Sequence, residues 1–239
     1  MPLDGLIAAL REAQHVCVLT GAGISAESGV PTFREAQSGL WAKYDPMQLA
    51  TPDAFLRDPE LVWRWYRWRR ELVAEASPNP GHVALAELAR LVPRLTLVTQ
   101  NVDSLHQRAG SQDVIEFHGN IFEDRCFVEG CVVDCDSDAG VPVCPGCGGK
   151  VRPGVVWFGE AIPEQALNRS FAAAQECDMF LSIGTSSLVY PAAGLAEVAK
   201  DAGATVAEIN PNPTGLATMF DYAIADKAGS VLPRIVNDI

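Results

Sequence analysis

The sequence predicts an α/β fold, a parallel sheet with helices on both faces and extra material inserted after its first strand. Three observations point there. Four short runs, Val16–Thr20, Leu95–Thr99, Met179–Ile183 and Thr205–Ile209, are almost continuously apolar, as strands covered on both faces must be. Helical periodicity lies between them, at 168–175 and at 192–201, the latter stopped by Gly203. Each run then gives way to a glycine-rich or polar cluster, and in an open α/β sheet the carboxyl ends of the strands are where ligands bind.

The chain begins "MPLDGLIAALREAQ". This predicts an amphipathic helix carrying Asp4, Arg11 and Glu12, without the basic-then-apolar order of a signal peptide. With 239 residues, 48% of them hydrophobic, there is material for one core and a smaller appendage. No stretch reaches the ~20 apolar residues that cross a bilayer. The formal net charge of -12 disfavours non-specific attraction to nucleic acid or an anionic membrane. Neither partner is expected.

The first strand runs into Gly21, Ala22, Gly23, Ile24, Ser25 and Ala26, the dinucleotide-binding spacing with alanine in the last place. Gly21 permits the tight turn, Gly23 lets the backbone approach a pyrophosphate, and the helix that follows offers free N–H groups. Alone the match is weak, because glycine turns after strands are common without a ligand. The acidic residue of an ordinary dehydrogenase, about 20 positions on at the end of a second strand, is missing. The next strand begins only at Leu95. That gap marks an insertion.

Inside it lies "VWRWYRWRREL" at 62–72, where Trp63, Trp65, Tyr66 and Trp68 alternate with Arg64, Arg67, Arg69 and Arg70. A nucleic-acid site uses such a mixture, but one short basic run in an acidic chain is poor support. A helix with tryptophans inward and arginines solvated accounts for some of it, Trp63 and Arg64 among them. Tyr66 shares a helical face with Arg69 and equally with Arg70, and spacing does not separate the two.

Five of the seven cysteines fall between Cys126 and Cys147. Cys126 with Cys131, and Cys144 with Cys147 in "CPGC", can place four thiolates tetrahedrally around a structural Zn²⁺ with no open position. Cys131 with Cys135 is the alternative first pair. A redox pair at "CPGC" would leave the other cysteines unexplained. An odd, clustered set favours metal over disulfides and therefore a soluble, reducing compartment, here the cytoplasm. Cys17 and Cys177 read as small buried hydrophobes. Of the histidines, His15 precedes a strand, His82 starts a helix and His106 falls in a helical pattern; all three suit structural roles.

Taken together, "GAGISAESGVPTFR" at 21–34, "TQNVD" at 99–103, "FHG" at 117–119, the paired cysteines, "VVWFGE" at 155–160 and "GTSS" at 184–187 resemble the sirtuins. These are NAD-dependent protein-lysine deacylases, and the resemblance covers nearly the whole chain. It implies a large Rossmann-like part (1–33, 80–119, 153–239) and a small part made of a helical module (34–79) and a zinc module (120–152). It implies NAD as cofactor, one structural Zn²⁺ on Cys126, Cys131, Cys144 and Cys147, and acylated-lysine proteins as substrates. In the implied chemistry the acyl oxygen attacks the nicotinamide ribose and nicotinamide leaves. A base-activated ribose hydroxyl then carries the acyl group away as O-acyl-ADP-ribose.

Residue by residue, His118 matches the family's base, a task suited to imidazole near neutral pH. Gln100 and Asn101 match residues that hold the nicotinamide ribose and a water, and Asp103 the one that fixes the carboxamide. Asn101 or Asp103 could also cap a helix. Phe33 and Arg34 match a segment shielding the reacting carbon. Gly184, Thr185, Ser186 and Asn210 match the adenosine half, and Gly21, Ala22, Gly23, Ser25 and Ala228 complete the cofactor site. Val155, Trp157, Phe158 and Gly159 match a strand segment that pairs with substrate peptide. Tyr-x-x-Arg at Tyr66 and Arg69 matches the sirtuin class that removes succinyl, malonyl and glutaryl groups, where the two side chains hold the far carboxylate. The alternative is a NAD- or ADP-ribose-binding protein, or an ADP-ribosyltransferase, without deacylase activity.

Overall fold

A computed structural model of the chain describes residues 2–31, 44–135, 140–215 and 217–239; Phe33 and Arg34 lie outside the described residues. In chain order the elements are α1 (Pro2–Glu12), β1 (Val16–Thr20), α2 (Ala22–Ala26), α3 (Pro46–Leu49), α4 (Pro52–Arg57), α5 (Pro59–Glu75) and α6 (Pro80–Leu91). Then come β2 (Leu95–Thr99), α7 (Leu105–Arg108), β3 (Ile115–Glu116), β4 (Gly119–Cys126), β5 (Val151–Val155) and α8 (Glu164–Glu176). The chain ends with β6 (Met179–Ile183), α9 (Leu195–Asp201), β7 (Thr205–Ile209), β8 (Tyr222–Ile224) and α10 (Ala228–Asp238). Four consecutive helices, α3 to α6, start the same way. Asp45, Thr51, Asp58 and Asn79 each accept a backbone N–H of the first turn, and a proline follows each of them. Cap and proline together set the entry angle of a helix at no hydrogen-bond cost.

Two compact units result, Met1–Thr32 with Ser77–Phe117 and Pro163–Ile239, and Phe33–Ala76 with His118–Ile162. The first is built on a six-stranded, wholly parallel sheet of order β3-β2-β1-β6-β7-β8. Thr20 pairs with Thr99 on one side and Ile183 on the other. The chain builds outward from β1 in one direction, then returns to its other side at β6, so strand order reverses between β1 and β6. The four strands expected from the sequence occur with the same bounds. β3 and β8, of two and three residues, were not expected. The segment 192–201 divides into a 3-10 turn, Ala192–Gly194, and α9. One continuous core joins Leu6 and Leu10 of α1, Val16 and Val18 of β1, Leu85 and Leu88 of α6, and Val231, Leu232 and Ile235 of α10.

The second unit centres on the antiparallel pair β4 and β5, with Gly119 opposite Val155 and Cys126 opposite Val151. Gly119 sits at φ +77, and a Cβ there would lie 2.1 Å from the Gly154 carbonyl oxygen. Helix α5 is tied to β5 by Trp63, whose Nε1 donates to the Val151 carbonyl at 2.7 Å. Phe55 packs between the rings of Phe127 and Trp157, at 5.0 and 5.4 Å between centroids.

Candidate active site

In the first unit the polar clusters that follow β1, β2, β6 and β7 lie at the carboxyl end of the parallel sheet. Backbone pairing continues past the strands: Gln100 N donates to Thr20 O, Gly21 N to Ile183 O and Gly184 N to Ile209 O, at 2.9 to 3.0 Å. The glycines make this closeness possible. A Cβ on Gly21 or Gly23 would stand 2.7 to 2.8 Å from Gly184 O, and one on Gly184, at φ +60, would stand 2.5 Å from Ile24 N. Gly23 N already donates to Gly184 O at 2.8 Å, and Ile24 N to Gly21 O. The helix after the turn was expected to offer free N–H groups; those of Gly23 and Ile24 are taken up locally, where the loop glycines join β1 to β6.

Around this junction sits a buried polar network. Ser25 Oγ donates to Asp103 Oδ2 at 2.7 Å, and Asn101 Nδ2 donates to Ser25 Oγ at 3.1 Å and to Gly21 O at 3.0 Å. The other Asp103 oxygen accepts the N–H of Leu105, the first residue of α7, at 3.0 Å. Gln100 Nε2 reaches Thr185 Oγ1 at 3.0 Å, and Asn210 Nδ2 reaches Thr185 O at 2.8 Å. Ser186 is exposed, Ala22 half-buried, and Ala228, opening α10, is part of the apolar core. Behind them Thr20 Oγ1 donates to Thr99 Oγ1 at 2.8 Å and meets His106 Nε2 at 2.9 Å. The His106 ring lies 4.8 Å from that of His82. Burial lowers the pKa of His82 to about 4, against the pull of the Asp103 carboxylate. Burial, with His82 adding to it, lowers that of His106 to about 3. Both rings are therefore neutral at pH 7. The network offers a carboxylate acceptor, carboxamides and hydroxyls in a largely dry setting.

The remaining expected residues belong to the second unit. His118 lies between β3 and β4, half-buried, and its carbonyl accepts Val156 N at 2.9 Å. A strand was expected through Gly159, but β5 ends at Val155. Beyond it Trp157 N donates to Glu160 Oε2, Phe158 N to Ala50 O and Glu160 N to Trp157 O, and Gly159 takes φ +88. These bonds fold 156–160 into a turn. Phe158 is exposed on it, while Trp157 is buried.

Sγ of Cys126, Cys131 and Cys144 lie within 4.8 Å of one another, together with a carboxylate oxygen of Glu129. Cys147 Sγ is 3.4 Å from Cys126 Sγ. A tetrahedral ion with ~2.3 Å bonds separates its sulfurs by about 3.8 Å, so this donor set fits Zn²⁺. Cys135 turns elsewhere: its thiol lies 3.6 Å from Asp124 Oδ2, and burial and that carboxylate push its pKa up to about 11.

On α5, Trp63, Trp65 and Tyr66 are buried and Arg64 is exposed. Arg70 donates to the Ile121 carbonyl at 2.5 Å and to Asp124 at 2.6 Å. Arg69 lies over the Trp65 ring, 5.0 Å from its centroid. The Tyr66 hydroxyl accepts Trp157 Nε1 at 2.8 Å. Burial raises its pKa to about 12 in spite of nearby Arg69, so it keeps its proton.

The profile of the Sir2 family matches residues 21–191. The chain belongs to the Sir2 family. It is 50% identical over 232 residues to "NAD-dependent protein deacylase 2" of Pyrobaculum aerophilum, spanning 96% of this chain and 93% of that one. It is 48% identical over 244 residues to "NAD-dependent protein deacylase 1" of Pseudomonas aeruginosa, spanning 98% of each. A solved Sir2 homologue in complex with NAD superimposes with TM-score 0.92 at 45% identity, over 98% of this chain and 92% of that one. A Sir2 protein bound to acetylated peptide superimposes with TM-score 0.86 at 29% identity, over 100% and 98%.

Within this Sir2 chain, sequence reasoning set His82 and His106 aside as structural, and their hydrogen bonds to Ser25 and Thr20 place them directly behind the polar network. Their appearance beside helix starts carried no signal of that position. Glu160 closes the "VVWFGE" motif, but its ion-pair partner Arg152 lay in no local pattern.

Proposed function

We propose that this Sir2 protein removes acyl groups from lysine side chains of protein substrates in an NAD-dependent reaction, releasing nicotinamide and O-acyl-ADP-ribose, and that it favours acyl groups ending in a carboxylate. The observation that carries the first part is the buried Ser25–Asp103–Asn101 network at the point where strand order reverses, where open α/β sheets bind nucleotides. The deacylase relatives and the NAD-bound homologue support the same conclusion.

NAD, when bound, supplies an electrophilic ribose carbon and a departing nicotinamide. Asp103 would accept the N–H of its carboxamide, and Asn101 and Gln100 would orient the neighbouring ribose. Gly21, Ala22, Gly23, Ser25, Gly184, Thr185, Ser186, Asn210 and Ala228 would line the remainder of the site; Phe33 and Arg34, outside the described residues, are assigned to it by their motif alone. His118 would take a proton from a ribose hydroxyl on its ring nitrogen. Val155, Phe158 and Gly159 would meet the substrate peptide. Zn²⁺ on Cys126, Cys131, Cys144 and Cys147 would fasten the far end of β4, a structural duty. Thiolates in that state suit a reducing compartment, and the cytoplasm is the proposed location.

For the acyl group, Tyr66 and Arg69 would hold the far carboxylate, the guanidinium as a planar donor fork and the phenol as one more donor. The neighbouring Arg70, which spacing left as a candidate, is already bound to Asp124 and Ile121. Nicotinamide release with matched succinyl-lysine and acetyl-lysine peptides tests both parts. A succinyl kcat/KM higher by tenfold or more is the expected result. Preference for acetyl would remove the carboxylate role alone, and no release with either peptide would end the deacylase proposal.

A further inference from the structure

Trp157 is 2% exposed although it lies in a turn, and its indole is held on several sides. Nε1 donates to the Tyr66 hydroxyl at 2.8 Å. The Arg152 guanidinium stacks 3.4 Å from the ring centroid. Arg152 also pairs with Glu160, and Glu160 Oε2 accepts the Trp157 backbone N–H at 2.7 Å. Ring stacking, ion pair and backbone bond thus leave the indole one orientation.

That orientation decides what Tyr66 can do. An indole N–H only donates, so the phenol oxygen must be the acceptor in this pair. A phenolic hydrogen lies near the plane of its ring, on one side of the oxygen or the other. An N–H arriving from one side leaves the hydrogen to the other. Among the described residues no acceptor takes that hydrogen. Tyr66 is left with one donor of fixed direction, which matches what a carboxylate needs and gives nothing to an acyl methyl group.

We infer that Trp157 is a positioning residue for acyl-group selectivity: its indole N–H fixes the Tyr66 hydroxyl as a donor for the acyl carboxylate, and the Arg152–Glu160 pair clamps the indole that does so. This rests on the proposal that Tyr66 and Arg69 hold the carboxylate. It also moves Trp157 from the peptide-lining role that its motif implied to one behind the acyl group.

The direct test is Trp157→3-benzothienylalanine, which exchanges N–H for sulfur and keeps the shape of the ring system. The readout is the ratio of kcat/KM for succinyl-lysine over acetyl-lysine peptide, because a merely structural loss lowers both and leaves the ratio alone. The ratio is expected to fall about fivefold, the worth of one neutral hydrogen bond. In a Tyr66→Phe background the same exchange is expected to leave the ratio where Tyr66→Phe put it. If Tyr66→Phe lowers the ratio and the isostere does not, the inference is overturned while the carboxylate clamp stands. If Tyr66→Phe and Arg69→Met also leave the ratio unchanged, the clamp itself has failed and the inference with it. Should the isostere not fold, as judged by unfolding midpoint and zinc content, Glu160→Gln keeps the indole and loosens its clamp. That variant must then lower the ratio, and an unchanged ratio overturns the inference.

Discussion

Ser25 Oγ stands 2.7 Å from Asp103 Oδ2, with the serine 2% and the aspartate 4% exposed. A carboxylate in so dry a place persists only where donors meet it, and it has Ser25 on one oxygen and the Leu105 N–H on the other. Asp103→Asn keeps the shape but sets an amide N–H or a neutral carbonyl where the charge was. Loss of a charge-assisted contact is worth about 1.5–3 kcal/mol, so kcat/KM for NAD is expected to fall by about 10- to 100-fold. Helix α7 is only four residues long, and the unfolding midpoint should move by no more than a few degrees. Nicotinamide release measured across a range of NAD concentrations checks this; a change under about twofold would take Asp103 out of the cofactor site.

The two neighbouring arginines of α5 should fail differently. Arg69→Met removes the guanidinium that lies over Trp65, and the succinyl-to-acetyl ratio of kcat/KM is expected to fall by about 10- to 100-fold for a lost charge-assisted pair. Arg70→Met leaves the largely buried Asp124 carboxylate without its ion pair. Removing one partner of such a pair costs about 3–5 kcal/mol when fully buried, and less at this partial exposure. The unfolding midpoint of Arg70→Met should therefore drop, with succinyl and acetyl turnover falling together. Interchanged behaviour of the two variants would reverse the assignment.

Acid should weaken the first unit through its paired histidines. Above pH 6.5 His82 and His106 are neutral whether the chain is folded or not. As pH falls below 6.5 the unfolded chain binds protons that the folded one refuses until about pH 4 for His82 and about pH 3 for His106. The stability present at neutral pH is thus lost on acidification, by up to about 1.4 kcal/mol per pH unit for each histidine between about 6.5 and 4. Urea unfolding at a series of pH values from 7 to 5 reads the slope directly. His106→Gln removes one of the two sites, and its slope over that window should be shallower by about the share of one histidine. Parallel stability lines for the two proteins would show that His106 takes up protons in the folded state.

What the sequence makes legible follows from the range of the forces involved. The four long strands could be read because each is covered from both sides: every residue of β1 and β6 is buried, which demands an unbroken apolar run. β8 is only partly covered along its three residues, and β3 has just two, so neither needed such a run and neither left one. Site positions could be named from local motifs, but their partners could not. Gly21 must be glycine because of Gly184, from a different strand end. The choice between Arg69 and Arg70 depends on β4. The Trp157 indole finds Tyr66 from 91 residues away, where no spacing rule reaches.

Zinc should divide the five clustered cysteines into four and one. Cys126, Cys131 and Cys144 converge and Cys147 touches Cys126, whereas Cys135 is drawn to Asp124. A four-thiolate ion leaves no vacant position, so its free energy of binding is folding free energy for the loops that carry the ligands. The purified protein is expected to hold about one zinc per chain. Cys135→Ser should keep that stoichiometry and shift the unfolding midpoint little, since a hydroxyl replaces the weaker thiol donor beside the same carboxylate. Cys131→Ser should lose most of the metal and unfold at a lower temperature, as should the wild type after exhaustive chelation at mildly acidic pH, where protons compete for the thiolates. Glu129 supplies the control, because its carboxylate oxygen lies within the same 4.8 Å cluster. Glu129→Gln retains full zinc if four thiolates suffice. Loss of zinc in that variant, with retention in Cys147→Ser, would replace the fourth sulfur by an oxygen ligand.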